Sequence, residues 1–276
     1  MHSDLKHDPD ALCERFYSKA KLAWNCALIC KLIVIIIGVT TIWLSLFSQV
    51  LPFVIFTVGI VSEWFLFRSD RDKSTAEALR RKLDLRHSLD WDISKADISD
   101  IFARAPKLKK AIPAAGNSEP YFANNEENRA VRAIKNVQES AWWNKHLSEK
   151  MGRYTLLVTL VAVVGSFGLL IVSIGSVDNF DTLSSIGRVV TAVLTMIVSI
   201  GLIRLTLAYY NLNAKSQKIE DRASQLLCNE CKELDAIKLY MDFHLDRAGA
   251  PLLPDFVYKR SRAHLNEVWK DYRSDG

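Results

Sequence analysis

Three charged side chains lie inside or beside long apolar stretches of this sequence: Lys31, Glu63 and Arg204. A bare charge in hydrocarbon costs about 2.5–3.5 kcal/mol on insertion scales, so charges in such positions are paired, line a water-filled path or extend to lipid headgroups. We interpret the three residues as a pore or gating cluster, either an ion-paired lock between helices or a charged ring. The alternative is that Lys31 and Arg204 extend to the headgroups while Glu63 pairs with one of them.

Hydroxyl side chains recur every fourth residue at Thr191, Thr195 and Ser199. This spacing places the three residues on one face of a helix. Such a face could line an aqueous route beside the charged residues, so all three are pore or gating candidates. The alternative is that small hydroxyl residues let two helices approach closely and hydrogen-bond to each other.

Basic and aromatic residues in the central part of the chain could bind a phosphorylated ligand. Residues 68–153 contain 18 basic and 13 acidic side chains. Guanidinium groups bind phosphate in a bidentate manner, and aromatic rings provide faces on which bases stack. The candidates are Arg80, Arg81, Lys82, Tyr121, Phe122, Trp142 and Trp143. The alternative is that the basic residues orient the chain and attract anionic lipid headgroups.

Signatures of catalysis and metal binding are missing from the sequence, which contains no HExxH, GxSxG, Walker or GxGxxG motif. Cys228 and Cys231 have the spacing of a metal or redox pair, but a second pair of ligands is absent. Glu139 and His146 lie seven residues apart on one helical face. They could act together as an acid and a base, or they could be ordinary surface residues. We predict no catalytic residue, no metal site, no cofactor and no enzymatic activity.

The elements that would position these residues are four long apolar stretches. Residues 32–62 carry no charge, and as a helix they would exceed a hydrocarbon core of about 30 Å, with Pro52 marking a turn near the middle. A second pair covers residues 154–177 and 189–203. Backbone groups in lipid must be paired internally, so we predict an all-α membrane protein with four transmembrane helices in two hairpins.

The distribution of Lys and Arg predicts the topology. There are 4 such residues before the first apolar stretch, 18 within 68–153 and 11 within 211–276, whereas the short hairpin turns contain only Arg188. The positive-inside rule places both termini and the central stretch in the cytoplasm. The predicted domains are a cytoplasmic N-terminal segment, hairpin 1, a cytoplasmic helical domain, hairpin 2 and cytoplasmic C-terminal helices, at 1–25, 26–68, 69–153, 154–210 and 211–276.

The cytoplasmic parts are predicted to form a helical bundle. Ala130, Ile134, Val137 and Ala141 form an apolar stripe along a polar helix. No helix breaker separates this stripe from the apolar stretch that begins at residue 154. We therefore expect one continuous helix across this boundary, an extension of the helix after 210 to about 241, and a last helix near 255–272.

Part of the chain resembles a known bacterial family. The segment 136–147, Asn-Val-Gln-Glu-Ser-Ala-Trp-Trp-Asn-Lys-His-Leu, with Tyr-Phe-Ala at 121–123, is similar to the central region of the SMODS-associated four-transmembrane pore-forming effectors. The resemblance implies an antiphage effector of the bacterial inner membrane that a cyclic oligonucleotide activates. It also adds Asn136 and Glu139 to the candidate ligand-binding residues.

Three classes of function follow for testing. The leading hypothesis is an oligomeric effector that permeabilises the inner membrane in abortive infection, with the lipid bilayer, further copies of itself and a cyclic nucleotide as partners and with no DNA or RNA. The alternative is a membrane-anchored sensor or scaffold whose apolar stretches only tether the helical domain. A secondary transporter would need broken helices and midplane charges, which the sequence lacks.

Overall fold

The structure, a computed structural model, describes residues 8–43, 50–104, 122, 124, 126–176, 187, 190, 201–229 and 231–274. This part of the chain is built from seven named α-helices and the connections between them. The helices are α1 (Pro9–Trp43), α2 (Leu51–Leu89), α3 (Lys95–Arg104), α4 (Arg129–Ser176), α5 (Leu202–Leu227), α6 (Glu233–Ala248) and α7 (Asp255–Ser274).

Local side chains and backbone conformations set several helix ends. The Asn128 Oδ1 atom accepts the backbone N–H groups of Ala130 and Val131 at 2.9 and 3.3 Å, which caps α4. The Ser94 hydroxyl caps α3 in the same way at 3.1 Å from the Asp97 nitrogen. Asp90 ends α2 with a φ of 58°, a left-handed conformation that Asp tolerates better than most residues.

The first two helices form an antiparallel pair. Ala20 and Ala27 on α1 are fully buried, and their small side chains let α2 approach closely. The Ser62 hydroxyl donates to the Ala27 carbonyl at 3.1 Å, and the Ser69 hydroxyl donates to the Ala20 carbonyl at 2.8 Å. These hydrogen bonds fix the register of α2 against α1 over about two helical turns.

A second antiparallel pair is formed by α4 and α5. The Cβ position at Gly152 lies 3.4 Å from the Tyr210 ring, so glycine leaves room for this ring. The Asn213 amide donates to the Lys145 carbonyl at 2.9 Å, and the Lys145 ammonium lies 2.5 Å from the Glu220 carboxylate. The contacts between α4 and α5 therefore include a glycine packed against an aromatic ring, a side-chain hydrogen bond and an ion pair.

Three apolar clusters hold the helices together. The first joins α4, α5 and α6 around Ile134 and Leu239 with the end of α2. The second joins α1, α2 and α3 around Leu12 and Leu83. The third joins α4, α5 and α7 and contains Trp142. All seven helices contribute to at least one cluster, so the polar parts of the long helices form one packed bundle.

The apolar parts of four helices extend beyond this bundle, and many of the large apolar side chains described there are exposed. We call them the apolar end: 29–36 of α1, 53–67 of α2, 154–172 of α4 and 203–207 of α5. The segments lie at one end of the molecule because the helix pairs are antiparallel and because Leu28 and Val158 line the same cavity.

The prediction of four transmembrane helices, and with it the classification as a membrane protein, is wrong for the described residues. No helix in this part of the chain is long and apolar enough to cross a bilayer. The predicted stretches included residues 44–49, 177 and 189–200, which, apart from 190, lie outside the described residues. Within the described helices, each apolar segment is only one part of a helix that continues into charged sequence.

The remaining expectations about helices have mixed outcomes. As predicted, α4 continues without a break across residue 154, and the last helix begins at Asp255. The helix after 210 ends earlier than expected, at Leu227, and α6 begins at Glu233. The turn around Asn229 ends α5 with a hydrogen bond from its backbone nitrogen to the Leu226 carbonyl at 3.2 Å.

Truncating Leu239 to alanine tests the first apolar cluster. Leu239 is fully buried, so Leu239→Ala should lower the free energy of unfolding by about 2–5 kcal/mol, measured by urea unfolding followed with circular dichroism. Leu234→Ala on the same helix is the matched control because this leucine is 62% exposed, and its effect should stay within about 0.5 kcal/mol. Equal effects of the two substitutions would contradict this packing.

Candidate functional site

The most buried charged group of the bundle is Asp84 on α2. Its carboxylate lies 2.7 Å from the Arg80 Nε atom one turn earlier on the same helix. Two groups from α6 complete its surroundings: His244 Nε2 at 3.4 Å and Arg247 Nη1 at 3.8 Å. The side chains of Asp84 and Arg80 are only 3% and 8% exposed, so this is an ion pair within the core.

Arg247 extends this cluster to α1. Its Nε atom lies 3.2 Å from the Glu77 carboxylate, and its Nη2 atom donates to the Tyr17 hydroxyl at 2.8 Å. The guanidinium carbon also lies 5.9 Å from the centre of the Tyr17 ring. We call Tyr17, Glu77, Arg80, Asp84, His244 and Arg247 the buried ion network. It ties α1, α2 and α6 together through two arginines and two carboxylates.

Burial and charge set the protonation of this network. Burial raises the pKa of Asp84, and the guanidinium groups of Arg80 and Arg247 oppose that rise. Burial, followed by the repulsion of Arg247 and Arg80, lowers the pKa of His244 to about 3. His244 is therefore neutral near pH 7, and the two arginines face the two carboxylates with no additional positive charge from the imidazole.

A cysteine lies beside the network but is poorly suited to nucleophilic chemistry. The Cys13 thiol donates to the Ala76 carbonyl at 3.5 Å and is almost fully buried. Burial raises the pKa of this thiol to about 12, so almost none of it is thiolate near pH 7. Within the described residues, no group of three or more His, Cys, Asp or Glu side chains could hold a metal ion. The arrangement therefore suits binding and helix positioning better than turnover.

Among the described residues, one cavity lies next to the network and a second cavity lies next to the first. The polar cleft has a volume of about 440 Å³ and is lined by Tyr17, Glu77, Arg80 and Arg247 of the network, together with Lys73 and other residues. The apolar cleft has a volume of about 530 Å³ and lies between α1, α4, α5 and the start of α7. Both volumes are within the range of about 300–1,000 Å³ that small-molecule sites occupy.

The predicted basic triplet is divided among three environments. Arg80 belongs to the buried ion network. Arg81 is exposed, and its carbonyl accepts the Tyr240 hydroxyl at 2.8 Å. Lys82 pairs with Asp97 on α3 at 2.6 Å, where both side chains are more than a third exposed. The three residues do not converge on one cavity, and only Arg80 lines the polar cleft.

Two other candidate ligand-binding residues, Phe122 and Asn136, lie near the end of α2. Phe122 is buried with its ring 6.4 Å from the ring of His87. The Asn136 amide donates to the Ser88 hydroxyl at 3.0 Å inside the bundle. Glu139 is half-buried on α4. Tyr121 lies outside the described residues. The ligand-binding role of all four stays a prediction.

The tryptophan pair is part of an aromatic cluster between α4 and α7. The Trp142 ring lies 5.1 Å from Trp269 and 4.5 Å from His146, measured between ring centres. The Trp143 ring lies 6.0 Å from Tyr258, a residue that also lines the polar cleft. This placement favours packing for Trp142, which is 3% exposed, whereas Trp143 lies nearer to a cavity.

The predicted gating charges are only partly brought together. The Lys31 ammonium lies 3.5 Å from the Glu63 carboxylate, between α1 and α2. Arg204 is exposed on α5 and forms no ion pair within the part of the chain that the structure describes. Thr191, Thr195 and Ser199 lie outside the described residues. The gating role of these six residues stays a prediction.

Sequence reasoning missed five of the six members of the buried ion network, namely Tyr17, Glu77, Asp84, His244 and Arg247. The pair Arg80 and Asp84 has the four-residue spacing of a helical ion pair, which the sequence displays. The pair His244 and Arg247 shares a helix face at a spacing of three residues. No local pattern indicates that these two pairs meet.

Comparisons with protein-family profiles, with curated proteins and with solved structures found no match. The likeness of segment 136–147 to the four-transmembrane effectors therefore stays an expectation from the sequence. A functional proposal must therefore be argued from the geometry of this protein: its clefts, its buried ion network and its apolar end.

Replacing Asp84 tests the network. Asp84→Asn leaves two buried guanidinium groups with one carboxylate, so we expect it to lower the free energy of unfolding by about 3–5 kcal/mol in urea. The control is Asp242→Asn, because the Arg222–Asp242 pair is 43% and 49% exposed and such pairs contribute about 0–1 kcal/mol. An Asp84 effect as small as the Asp242 effect would rule out the network as a stabilising unit.

The pH dependence of stability tests the neutral imidazole. The pKa of His244 in the folded chain, about 3, lies below its ordinary value of 6.5, so the unfolded chain takes up this proton first as the pH falls. The stability that this group contributes is complete above pH 6.5 and is lost as the pH falls from 6.5 towards 3.

We therefore expect the decrease in unfolding free energy between pH 7 and pH 4.5 to be smaller in His244→Gln than in the unchanged protein. His264→Gln is the matched control for the loss of an imidazole, because His264 is exposed on α7. Parallel profiles for the unchanged protein and His244→Gln would be inconsistent with a buried neutral His244.

Proposed function

We propose that this protein is a signal-responsive effector that acts on the bacterial inner membrane from its surface. The single observation that supports this most strongly is the apolar end. It brings exposed apolar segments of four helices together on one side of a bundle whose other parts are well packed. Contiguous exposed apolar surface on an otherwise polar protein is typical of a surface that binds a partner or lipid.

Several side chains of the apolar end are mostly exposed. Phe53 is 74% exposed on α2, and Ile171 is 68% exposed on α4. Burying one such side chain fully contributes about 1.5–3 kcal/mol relative to leaving it in water. A few of them inserted among lipid chains would therefore offset the cost of holding the protein at a bilayer surface.

The residues at the border of the apolar end match the chemistry of a lipid headgroup layer. On α2 the Arg68 guanidinium lies 5.6 Å from the Trp64 ring centre, at the last turn before the charged part of the helix. On α4 the corresponding neighbours are Arg153 and Tyr154, both exposed. Aromatic rings and basic groups at one level favour a boundary between apolar chains and anionic headgroups.

A signal received in the bundle has a direct route to the apolar end. Helix α4 passes through the first and third apolar clusters and continues into exposed apolar sequence without interruption. A ligand that binds one arrangement of the bundle better than another shifts the population of that arrangement, and a continuous helix transmits the shift. The resemblance of 136–147 favours a cyclic oligonucleotide as this ligand, with further copies of the protein as partners at the membrane.

The second candidate function is a sensor or scaffold in which the apolar end only attaches the bundle to lipid. The buried ion network supports it, since a core tied together by two arginines suits a rigid platform. The two candidates differ in one measurable property, because an effector disturbs the bilayer and a scaffold leaves it intact.

A vesicle assay tests the proposal. Purified protein should bind vesicles containing one quarter phosphatidylglycerol and release an enclosed dye. The variant Leu157→Glu/Val161→Glu places two charges in the apolar end and should lower vesicle binding at least tenfold. The control is Leu234→Glu/Leu245→Glu, because both leucines are exposed on α6, away from the apolar end, and binding should stay within twofold.

The same assay separates the two candidates and tests the ligand. Dye release should increase when a cyclic dinucleotide or cyclic trinucleotide from a panel is added, and Arg81→Gln should weaken this response because Arg81 is an exposed candidate for phosphate binding. Vesicle binding without dye release under all conditions would favour the scaffold. Absence of vesicle binding would reject both.

A further inference from the structure

The polar cleft and the apolar cleft are neighbours with a shared wall. Lys21, Leu252, Leu253 and Asp255 line both cavities. The Lys21 ammonium and the Asp255 carboxylate form an ion pair at this junction. Leu252 and Leu253 belong to the connection between α6 and α7, and Asp255 begins α7, so the charged cleft and the apolar cleft meet at this short segment.

The apolar cleft has the lining that a hydrocarbon chain needs. Trp24 and Leu28 come from α1, Val158 from α4, Leu205 from α5 and Phe256 from α7. Leu28 directly precedes the part of the apolar end on α1, and Val158 lies within its part on α4, so the cleft is continuous with that surface. A chain entering from the apolar end would pass between α1 and α4 toward the junction with Lys21 and Asp255.

The polar cleft has the lining that an anionic group needs. Its basic side chains are Lys21, Lys73, Arg80 and Arg247, and its acidic side chains are Glu14, Glu77 and Asp255. Arg80 and Arg247 are held by carboxylates of the buried ion network. The four basic side chains outnumber the three acidic ones, and Lys73 is the basic side chain of the cleft that is held by no carboxylate of the described part of the chain at ion-pair distance.

Lys73 is the second observation that indicates an anionic ligand. Its ammonium donates to the backbone carbonyls of Ala248, at 3.1 Å, and Ala250. No carboxylate of a described residue lies within ion-pair distance of it. Burial lowers the pKa of Lys73, and the nearby carboxylates of Glu77 and Asp70 oppose that decrease. A phosphate in the polar cleft would bring a negative charge within ion-pair distance of this ammonium.

From these two neighbouring cavities we propose that the protein binds a single-chain anionic amphiphile, with its hydrocarbon chain in the apolar cleft and its phosphate in the polar cleft beside Lys73 and Lys21. The Lys21–Asp255 pair lies where chain and headgroup join. A lipid with one acyl chain and a phosphate has this chemistry. The site depends on the clefts alone, so it does not require that the apolar end disturbs a bilayer.

Decyl phosphate is a suitable probe because it carries both parts of the ligand and can be used below its micelle concentration. Isothermal titration of the full chain should give one saturable site per chain. Two further probes separate the parts: decanol has the chain without the charge, and inorganic phosphate has the charge without the chain. We expect decyl phosphate to bind at least tenfold more tightly than either.

Matched variants assign the two ends of the probe. Val158→Trp fills the apolar cleft and should weaken decyl phosphate binding at least tenfold, whereas Val164→Trp, also on an exposed position of α4, should change it less than twofold. Lys73→Gln should weaken decyl phosphate about tenfold and leave decanol unchanged, and Lys218→Gln, an exposed lysine outside the clefts, should alter neither. Circular dichroism confirms that each variant keeps its helix content.

Each result of these binding measurements supports or overturns the proposed amphiphile site. Equal affinities for decyl phosphate and decanol, or an effect of Val158→Trp no larger than that of Val164→Trp, would overturn it. Binding of phosphate as tight as that of decyl phosphate would replace it with a simple anion site, and no saturable binding would reject it. Vesicle binding and dye release are measured separately, so failure of the membrane proposal and failure of this one are distinguishable.

Discussion

The burial of one carboxylate, that of Asp84, constrains much of this structure. An isolated carboxylate in a protein core is strongly disfavoured, so the chain must place positive groups around it. Arg80 is available on the same helix, but Arg247 must come from α6, and its position then requires Glu77 and Tyr17 as further partners. Three helices are thereby fixed relative to one another by a set of charges that tolerates little displacement, since each group is a partner of the next.

The same network shapes the cavities beside it. Arg247 lies near the end of α6, and the connection that follows it, through Ala250 and Leu252, forms part of the wall of both clefts. Lys73 holds the first part of this connection through the Ala248 and Ala250 carbonyls, and the Tyr209 hydroxyl holds its later part by donating to the Leu252 carbonyl at 2.6 Å. The clefts thus have walls positioned by hydrogen bonds from α2 and α5, which favours preformed cavities over surface grooves.

The sequence predicted the local features of this fold and missed the features that depend on distant residues. The stripe of Ala130, Ile134, Val137 and Ala141 is buried, and α4 crosses residue 154 without a break, because periodicity and the absence of helix breakers are local properties. The four predicted transmembrane helices were wrong for the described residues. The count of uncharged residues ignored that each apolar segment is one part of a helix that continues into charged sequence. The network could not be predicted, since Tyr17 and Arg247 are 230 residues apart and neither belongs to a recognisable motif.

The placement of charge explains why the polar and apolar parts of the molecule are mechanically connected. Lys31 and Glu63 pair across α1 and α2 just where the apolar end begins, while Lys145 and Glu220 pair across α4 and α5 inside the bundle. Each long helix is therefore held to its antiparallel neighbour. Helix α4 alone, with 48 residues, extends over about 72 Å at about 1.5 Å per residue. Leu28 of the apolar cleft directly precedes the exposed apolar segment of α1, and Val158 of the same cleft lies within the segment of α4. A ligand that alters the spacing of α1 and α4 at this cleft would therefore also alter the spacing of these two exposed segments.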